Sequence, residues 1–430
     1  MENQDIYVGL DIGTTSIKVI VAELVQGQLN IIGVGSSRSQ GLSRGVIVDI
    51  DKAAEAIRQA VSQAEEKASI KIQQVVVGVP ANMLQIESVT GMIAVGDQSK
   101  EITDNDVRAV AAAALVRNLP PEREMLSLTP TEFIVDGFDD IKDPRGMIGV
   151  RLEMHGILFT APKTVLHNTK KAIEKAGLTL RNVVVSPLAQ AQVALSDGEA
   201  DFGTILIDLG GGQSTAAVIH DHKLKFTDVD QEGGEYVTKD ISVVLNTGYA
   251  DAEKLKRDYG TADSLATHED NTFPVAVVGK TEPIMVSEKY LAEIIEARLT
   301  QILTRLNEAL QAVDAFALPG GIVITGGNAA LPGITELAQD VFQHPVKRYI
   351  PDAMGLRHPA FTAALGLITY ASQLTDIDLL VASVLPNPPA ANERPATQTP
   401  TKVPTKPAEP TSDEPKKASA LKRFFGNFFE

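Results

Sequence analysis

One pattern occurs twice in this chain. Ile6-Tyr7-Val8-Gly9-Leu10-Asp11 is a short apolar run that ends in an acid. Gly13-Thr14-Thr15 follows it, then two strand-like runs at 16–25 and 29–34. Residues 204–209 form another such run, with Asp208 near its end, then Gly210-Gly211-Gly212 and two further runs at 216–219 and 223–228. Apolar runs of this length, bounded by glycine turns, read as buried strands. A strand–acid–glycine turn–strand–strand unit that recurs near 6–34 and 204–229 implies two similar lobes with a cleft between them. A chain of 430 residues has room for about two or three such units.

The turns of the repeat carry the chemistry. An acid at a strand end can hold Mg²⁺ through water, and the small residues after it let backbone N–H groups approach a phosphate. Three consecutive glycines at 210–212 give an anion the same close approach. A third turn, Gly326-Gly327-Asn328, follows a strand at 321–325, and its glycines let a flat base lie on the backbone. Two small-residue helices, at 186–191 and 359–366, suit close packing where lobes pivot. The seven histidines show no ligand spacing, and His220 and His222 beside Asp221 read as a surface turn. Gly33 and Gly35 lack the third glycine and the helix of a dinucleotide fingerprint.

Residues 84–162 have a different texture. Strand pieces at 85–89 and 92–95 precede an alanine-rich helix that starts at Thr103-Asp104. Further strands at 125–128, 132–136 and 149–160 surround a polar turn at 139–146. This segment reads as a small α+β insertion. Longer helices are predicted at 52–69, 165–176 and 291–313.

Composition narrows the partners. There are 55 acids against 39 bases, a net charge of −16, which argues against nucleic acid as the main partner. The absence of cysteine excludes disulfides, thiol catalysis and zinc–thiolate sites. Residues 1–25 are unlike a signal peptide, and no apolar run reaches the ~18–20 residues of a membrane span. Beyond residue 385 the texture changes again: nine of the 23 prolines fall in 386–415, so 386–418 is predicted to be a disordered linker. Four of the 13 phenylalanines then crowd into the last seven residues. On a helix, Leu421, Phe424, Phe425, Phe428 and Phe429 form one apolar stripe, with Lys422 and Arg423 beside it. Residues 419–430 are too short to span a bilayer but can lie in its interface. A buried Phe contributes roughly 1.5–3 kcal/mol before ordering costs, and each base adds ~1 kcal/mol near anionic lipid. Such an anchor is marginal and reversible, and a polymer would multiply it.

The three glycine turns, the lobe duplication and the two hinge segments together resemble the actin/Hsp70/sugar-kinase ATPase superfamily. Within it, residues 41–49, 130–136, 141–153, 233–241 and 252–256 are similar to the FtsA family of bacterial cell-division proteins. The resemblance implies an α/β, actin-like two-lobed fold with an inserted 1C-type subdomain. Subdomain 1A would span 1–83, 1C 84–162, and the return to 1A with the first hinge 163–195. Subdomain 2A would span 196–239, 2B 240–310, and the return to 2A 311–355. The second hinge and return to 1A would take 356–385, before the linker and the amphipathic helix.

The resemblance also implies ATP with Mg²⁺. Asp11 and Asp208 would organise the metal through water. Gly13, Thr14, Thr15, Lys18, Gly210, Gly211, Gly212 and Gln213 would surround the phosphates. Gly326, Gly327 and Asn328 would face the adenosine, with Gly234, Glu235, Glu253 and Lys256 near ribose and base. Superfamily hydrolases orient water with a carboxylate or glutamine near the first hinge. Ser186 stands where many relatives have Glu, which leaves Gln190 as the candidate. A missing base costs ~10²–10⁴-fold, so slow turnover is expected.

Family partners would be the C-terminal tail of the tubulin-like FtsZ, docked on 2B, further copies of the chain in filaments, and later division proteins. The place would be the cytoplasmic face of the membrane at the septum. Glu296 and Arg298 are candidate FtsZ contacts. Three other readings share the fold. A pilus-assembly scaffold of the PilM type would not be expected to carry this linker and tip. A sugar or metabolite kinase needs an Asp base and a first-lobe substrate pocket. A chaperone needs a β-rich domain where the proline-rich linker stands.

Overall fold

The repeat is built as two sheets of the same design. The computed structural model describes residues 5–96 and 100–386. In the first lobe, β1 (Asp5–Ile12) pairs antiparallel with β2 (Ser16–Val25), and β2 with β3 (Gln28–Arg38). A two-rung hairpin, β4 (Leu42–Ser43) and β5 (Val46–Ile47), leads into α1 (Ile50–Ala68). The Asp49 carboxylate caps α1 by accepting from the Lys52 N–H at 3.1 Å. Strand β6 (Gln74–Val79) then runs parallel to β1.

The insertion follows as β7 (Gln85–Ala94), α2 (Asp104–Ala114), β8 (Arg123–Val135), β9 (Phe138–Ile141) and β10 (Arg151–Pro162), in sheet order β7-β10-β8-β9. Helix α3 (Lys163–Lys175) returns to the first lobe, β11 (Thr179–Val185) adds parallel to β6, and α4 (Ser186–Ala194) leads away.

The second lobe opens with α5 (Asp197–Phe202), β12 (Thr204–Leu209), β13 (Ser214–His220) and β14 (Lys223–Asp230). Helices α6 (Gly234–Val244) and α7 (Tyr249–Tyr259), the hairpin β15 (Thr272–Val275) and β16 (Ile284–Ser287), and α8 (Glu288–Gln311) follow. Strand β17 (Ile322–Thr325), α9 (Ile334–Phe342) and β18 (Val346–Arg348) complete it. Helices α10 (Thr362–Gln373) and α11 (Asp376–Ala382) return to the first lobe and the insertion.

The sheet orders are β3-β2-β1-β6-β11 and β14-β13-β12-β17-β18, two antiparallel pairings then two parallel ones in each. The duplication therefore extends past the repeat legible in the sequence, into the parallel half of each sheet. It places Asp11 and Asp208 at equivalent positions on the two central strands.

Burial explains the layering. In the first lobe Leu10, Val19, Ile57 and Ala60 share one core; in the second, Ile207, Ile241, Leu299 and Ile324 do. Helix α4 lies between the lobes, where Leu188 and Ala191 join a cluster with Leu206 and Val323 of the second sheet and Phe159 of the insertion. Helix α10 covers the other face of the first sheet through Ala364 and Ile368, against Tyr7 and Ile20.

Three details differ from the sequence reading. The segments 85–89 and 92–95 are one strand, because Gly91 is where α2 comes close to the sheet: a side chain there would strike the Val110 carbonyl. The segments 125–128 and 132–136 are also one strand, with Pro130 accommodated at a register shift opposite Gly156. Helix α11 packs on the insertion, not on 1A: Ile377, Val381 and Leu385 share a core with Val110, Leu128 and Met154. The linker beyond Pro386 and the 419–430 tip lie outside the described residues. Among the described residues, no helix is long and apolar enough to cross a membrane.

Candidate nucleotide cleft

The two glycine turns meet face to face across the interlobe cleft. Each follows the central strand of its sheet, so the sheet pairing itself aims them at each other. A side chain at Gly211 would run into Thr15, and one at Gly212 into Thr14. The cleft is lined by Asp11, Gly13, Lys18, Asp208, Gln213 and Gly326, together with those four residues, Gly210, Gly327 and Gln190.

Its charges are organised. Lys18 is buried and bonds the Asp11 carboxylate at 3.2 Å. Burial pushes the Asp208 carboxyl above the usual carboxylate range; the Gln190 amide opposes this by donating to it at 2.6 Å, and the Asp11 charge adds to it. Gln190, the residue expected near the first hinge, lies on α4 and is 2% exposed, with its amide engaged on Asp208. Gly326, at φ +93°, must be glycine twice over, since a side chain there would also strike the Asp208 carboxylate.

Of the residues assigned to adenosine and ribose, Gly326 and Gly327 belong to this lining, whereas Asn328, Gly234, Glu235, Glu253 and Lys256 form an adjoining cluster. Asn328 is buried and donates its amide to the Gly210 carbonyl at 2.5 Å, tying the third turn to the second. The Gly234 and Glu235 N–H groups donate to the Gly210 and Gly211 carbonyls at 3.0 and 2.8 Å. Lys256 is buried beneath, with its ammonium on the Gly234 carbonyl (2.9 Å), Thr238 Oγ1 (2.7 Å) and Glu253 (2.7 Å). Burial lowers the Lys256 pKa and raises that of Glu235.

The donor set fits a magnesium nucleotide. Two carboxylates, two threonine hydroxyls and a glycine cradle converge, and the buried Gln213 Oε1 has no protein partner. Among the described residues no three His, Cys, Asp or Glu side chains cluster to cage a metal. Magnesium suits such a site, because it is commonly held by one or two carboxylates plus phosphate oxygens.

A family model described as "Cell division protein FtsA" matches residues 205–366, and one described as "SHS2 domain inserted in FTSA" matches 81–160, the insertion. The cell-division protein FtsA of Enterococcus faecalis is 57% identical over 386 residues, covering 90% of this chain and 88% of its own length. The chain belongs to the FtsA family. The FtsA of Bacillus subtilis is 43% identical over 371 residues, with 86% of this chain and 84% of the relative covered. Among solved structures, the PilM–PilN type IV pilus biogenesis complex matches with a TM-score of 0.59 at 16% identity, covering 86% of this chain and 99% of that one. MreB5 of Spiroplasma citri bound to AMPPNP matches with a TM-score of 0.53 at 14% identity, covering 84% and 94%. At these identities the likeness shows the actin-like fold alone.

Two FtsA residues assigned to a partner have internal work. Glu296 accepts from the Ser264 N–H at 2.8 Å. Arg298 bonds Asp240 at 2.5 Å and Glu232 at 2.8 Å, and Arg305 bonds Asp230 at 2.6 Å and also Glu232. Their partners lie 32 to 75 positions away, so the sequence could not reveal them. Sequence reasoning also gave no role to the loop carrying Arg44 and Gly45, whose backbone N–H at Gly45 donates to Thr14 Oγ1 at 2.9 Å. The glycines at 41 and 45 that flank it were the available signal.

Proposed function

We propose that this FtsA-family protein binds ATP with Mg²⁺ between its lobes, self-associates, and tethers FtsZ filaments to the cytoplasmic membrane at the division septum. The observation that carries the nucleotide part is the opposition of Thr14 and Thr15 to Gly211 and Gly212 across the cleft. Asp11 and Asp208 would organise Mg²⁺ through water, and the magnesium would neutralise phosphate charge. Gly13, Lys18, Gly210 and Gln213 would surround the phosphates. Gly326, Gly327 and Asn328 would border the adenosine, with Gly234, Glu235, Glu253 and Lys256 behind. With Gln190 engaged on Asp208 and Ser186 at the hinge, ATP turnover is slow.

FtsZ would dock its C-terminal tail on the subdomain at 240–310, where Arg298 and Glu296 set the shape of the surface through their internal bonds. Filament formation has support in the fold, which is shared with MreB5 and with a solved MamK double helical filament (TM-score 0.51). The 419–430 helix would supply the membrane contact, through Leu421, Phe424, Phe425, Phe428 and Phe429 with Lys422 and Arg423. Later division proteins would join the assembly.

Titration of the full chain with ATP tests the nucleotide part. Saturable binding that is weakened by chelating Mg²⁺ and lost in Gly212→Val is expected; undiminished binding by the variant would contradict it. An FtsZ tail peptide that fails to bind at micromolar concentration would contradict the tethering part.

A further inference from the structure

The loop between β3 and α1 contributes Gly45 to the cleft lining and touches both lobes. It is closed on itself, since the Val48 and Asp49 N–H groups donate to the Gly41 carbonyl at 2.8 and 3.0 Å. At its tip Arg44 and Gly45 both take left-handed backbone, φ 49° and 78°. Gly45 sits between the two phosphate turns. Its N–H donates to Thr14 of the first, and it packs so tightly on the Gln213 amide of the second that a side chain would collide with it. The Arg44 carbonyl is held from below by the buried Asn82 amide at 3.1 Å, at the root of the insertion.

The Arg44 side chain leaves its own lobe. Nη1 donates to Gln231 Oε1 at 3.3 Å, and Nη2 to the Tyr236 hydroxyl at 3.1 Å. Gln231 and Tyr236 flank the Gly233-Gly234 turn of the second lobe. That landing point is braced. The Tyr236 ring has the Arg298 guanidinium and the Lys239 ammonium each 5.7 Å from its centroid. Arg298 is in turn fixed by Asp240 and Glu232. Arg44 itself does not line the cleft, whereas Gly45 does.

We propose that Arg44 is a positioning residue for the nucleotide, a latch that holds the second lobe over the phosphate cleft and slows nucleotide release. Thr14 and Gln213, on the two turns, both line the cleft in which a triphosphate would sit. The loop tip bridges those two residues, and the Arg44 side chain fastens that tip to the far lobe. The inference rests on the nucleotide reading above. Both acceptors are neutral and the guanidinium is exposed, so each bond is weak and the effect is kinetic rather than decisive for folding.

The test is stopped-flow release of a fluorescent ATP analogue with Mg²⁺ from the full chain, chased with excess ATP. Arg44→Ala is expected to release about tenfold faster, equivalent to ~1.4 kcal/mol, with association and melting temperature little changed. Tyr236→Phe, which removes one acceptor, is expected to give a smaller acceleration that does not add to Arg44→Ala. Arg44→Lys, unable to reach both acceptors in the same fork, is expected to fall between wild type and Ala. Release from Arg44→Ala within twofold of wild type would overturn the latch while leaving the nucleotide reading intact. Failure of the unaltered chain to bind the analogue would overturn both.

Discussion

The Gln190 amide donates to the Asp208 carboxylate at 2.6 Å, a bond that joins the first hinge helix to the central strand of the opposite lobe. Burial works against the charge on Asp208, and Gln190 offsets part of that penalty. Substitutions at the two positions should therefore move stability in opposite directions. Gln190→Leu is expected to destabilise the nucleotide-free protein by about 1–3 kcal/mol, because a buried acceptor loses its donor. Asp208→Asn, which keeps an acceptor but discards the charge, is expected to raise the melting temperature while weakening Mg²⁺-dependent nucleotide binding. Calorimetric melting of both variants without nucleotide checks this, and a fall in both would contradict it.

The hinge helices α4 and α10 touch at Gly366. An added methyl would fall against the Ala189 carbonyl, a backbone atom with no room to yield. Gly366→Ala is expected to destabilise by ~1–3 kcal/mol through overpacking. Gly198→Ala makes the contrast, since nothing lies within 4 Å of its added methyl; it sits inside α5 and should be neutral or slightly stabilising. Chemical denaturation of the two variants separates them, and equal midpoints would contradict the packing argument.

His358 precedes the second hinge, where its Nδ1 accepts from the Ala360 N–H at 3.1 Å. Partial desolvation, with the Lys18 charge adding to it, holds its pKa below the usual 6.5. The native state then binds fewer protons than the unfolded chain between that lowered value and 6.5, so stability is lost as pH falls through this window. Protonation also removes the capping acceptor. His358→Asn, which keeps an acceptor without the titration, is expected to flatten stability between pH 7 and the mildly acidic range. Melting curves at half-unit pH steps test it; an unchanged slope would contradict the assignment.

Membrane attachment should depend on the tip. Deleting 419–430 is expected to abolish sedimentation with anionic vesicles, and Phe424→Ser with Phe428→Ser to weaken it at least tenfold, from ~1.5–3 kcal/mol per buried Phe. Higher salt should weaken the intact chain's binding as well, because Lys422 and Arg423 act through screened attraction. Sedimentation of the truncated chain at the full level would contradict the anchor.

Much of the fold was legible because the repeat is local: each central strand, its acid and its glycine turn lie within about ten residues. Asp11, Thr14 and Gly211, which line the cleft, sit within those local units. What was not legible depends on distant partners. Pro130 and Gly91 read as breaks, yet one sits at a register shift and the other admits a helix. Helix α11 gave no sign that it would pack on an insertion more than 200 residues earlier in the chain. Arg298 read as a candidate partner contact because Asp240 and Glu232, which pair with it, lie far away in the chain.

The tethering account is tested most directly by vesicle flotation. Anionic vesicles, the full chain, Mg²⁺-ATP and FtsZ filaments are mixed and spun, and FtsZ is measured in the floating fraction. The account expects FtsZ to float with the vesicles when the full chain is present, and to stay below when 419–430 or the FtsZ tail is removed. FtsZ remaining below while the full chain floats would contradict it.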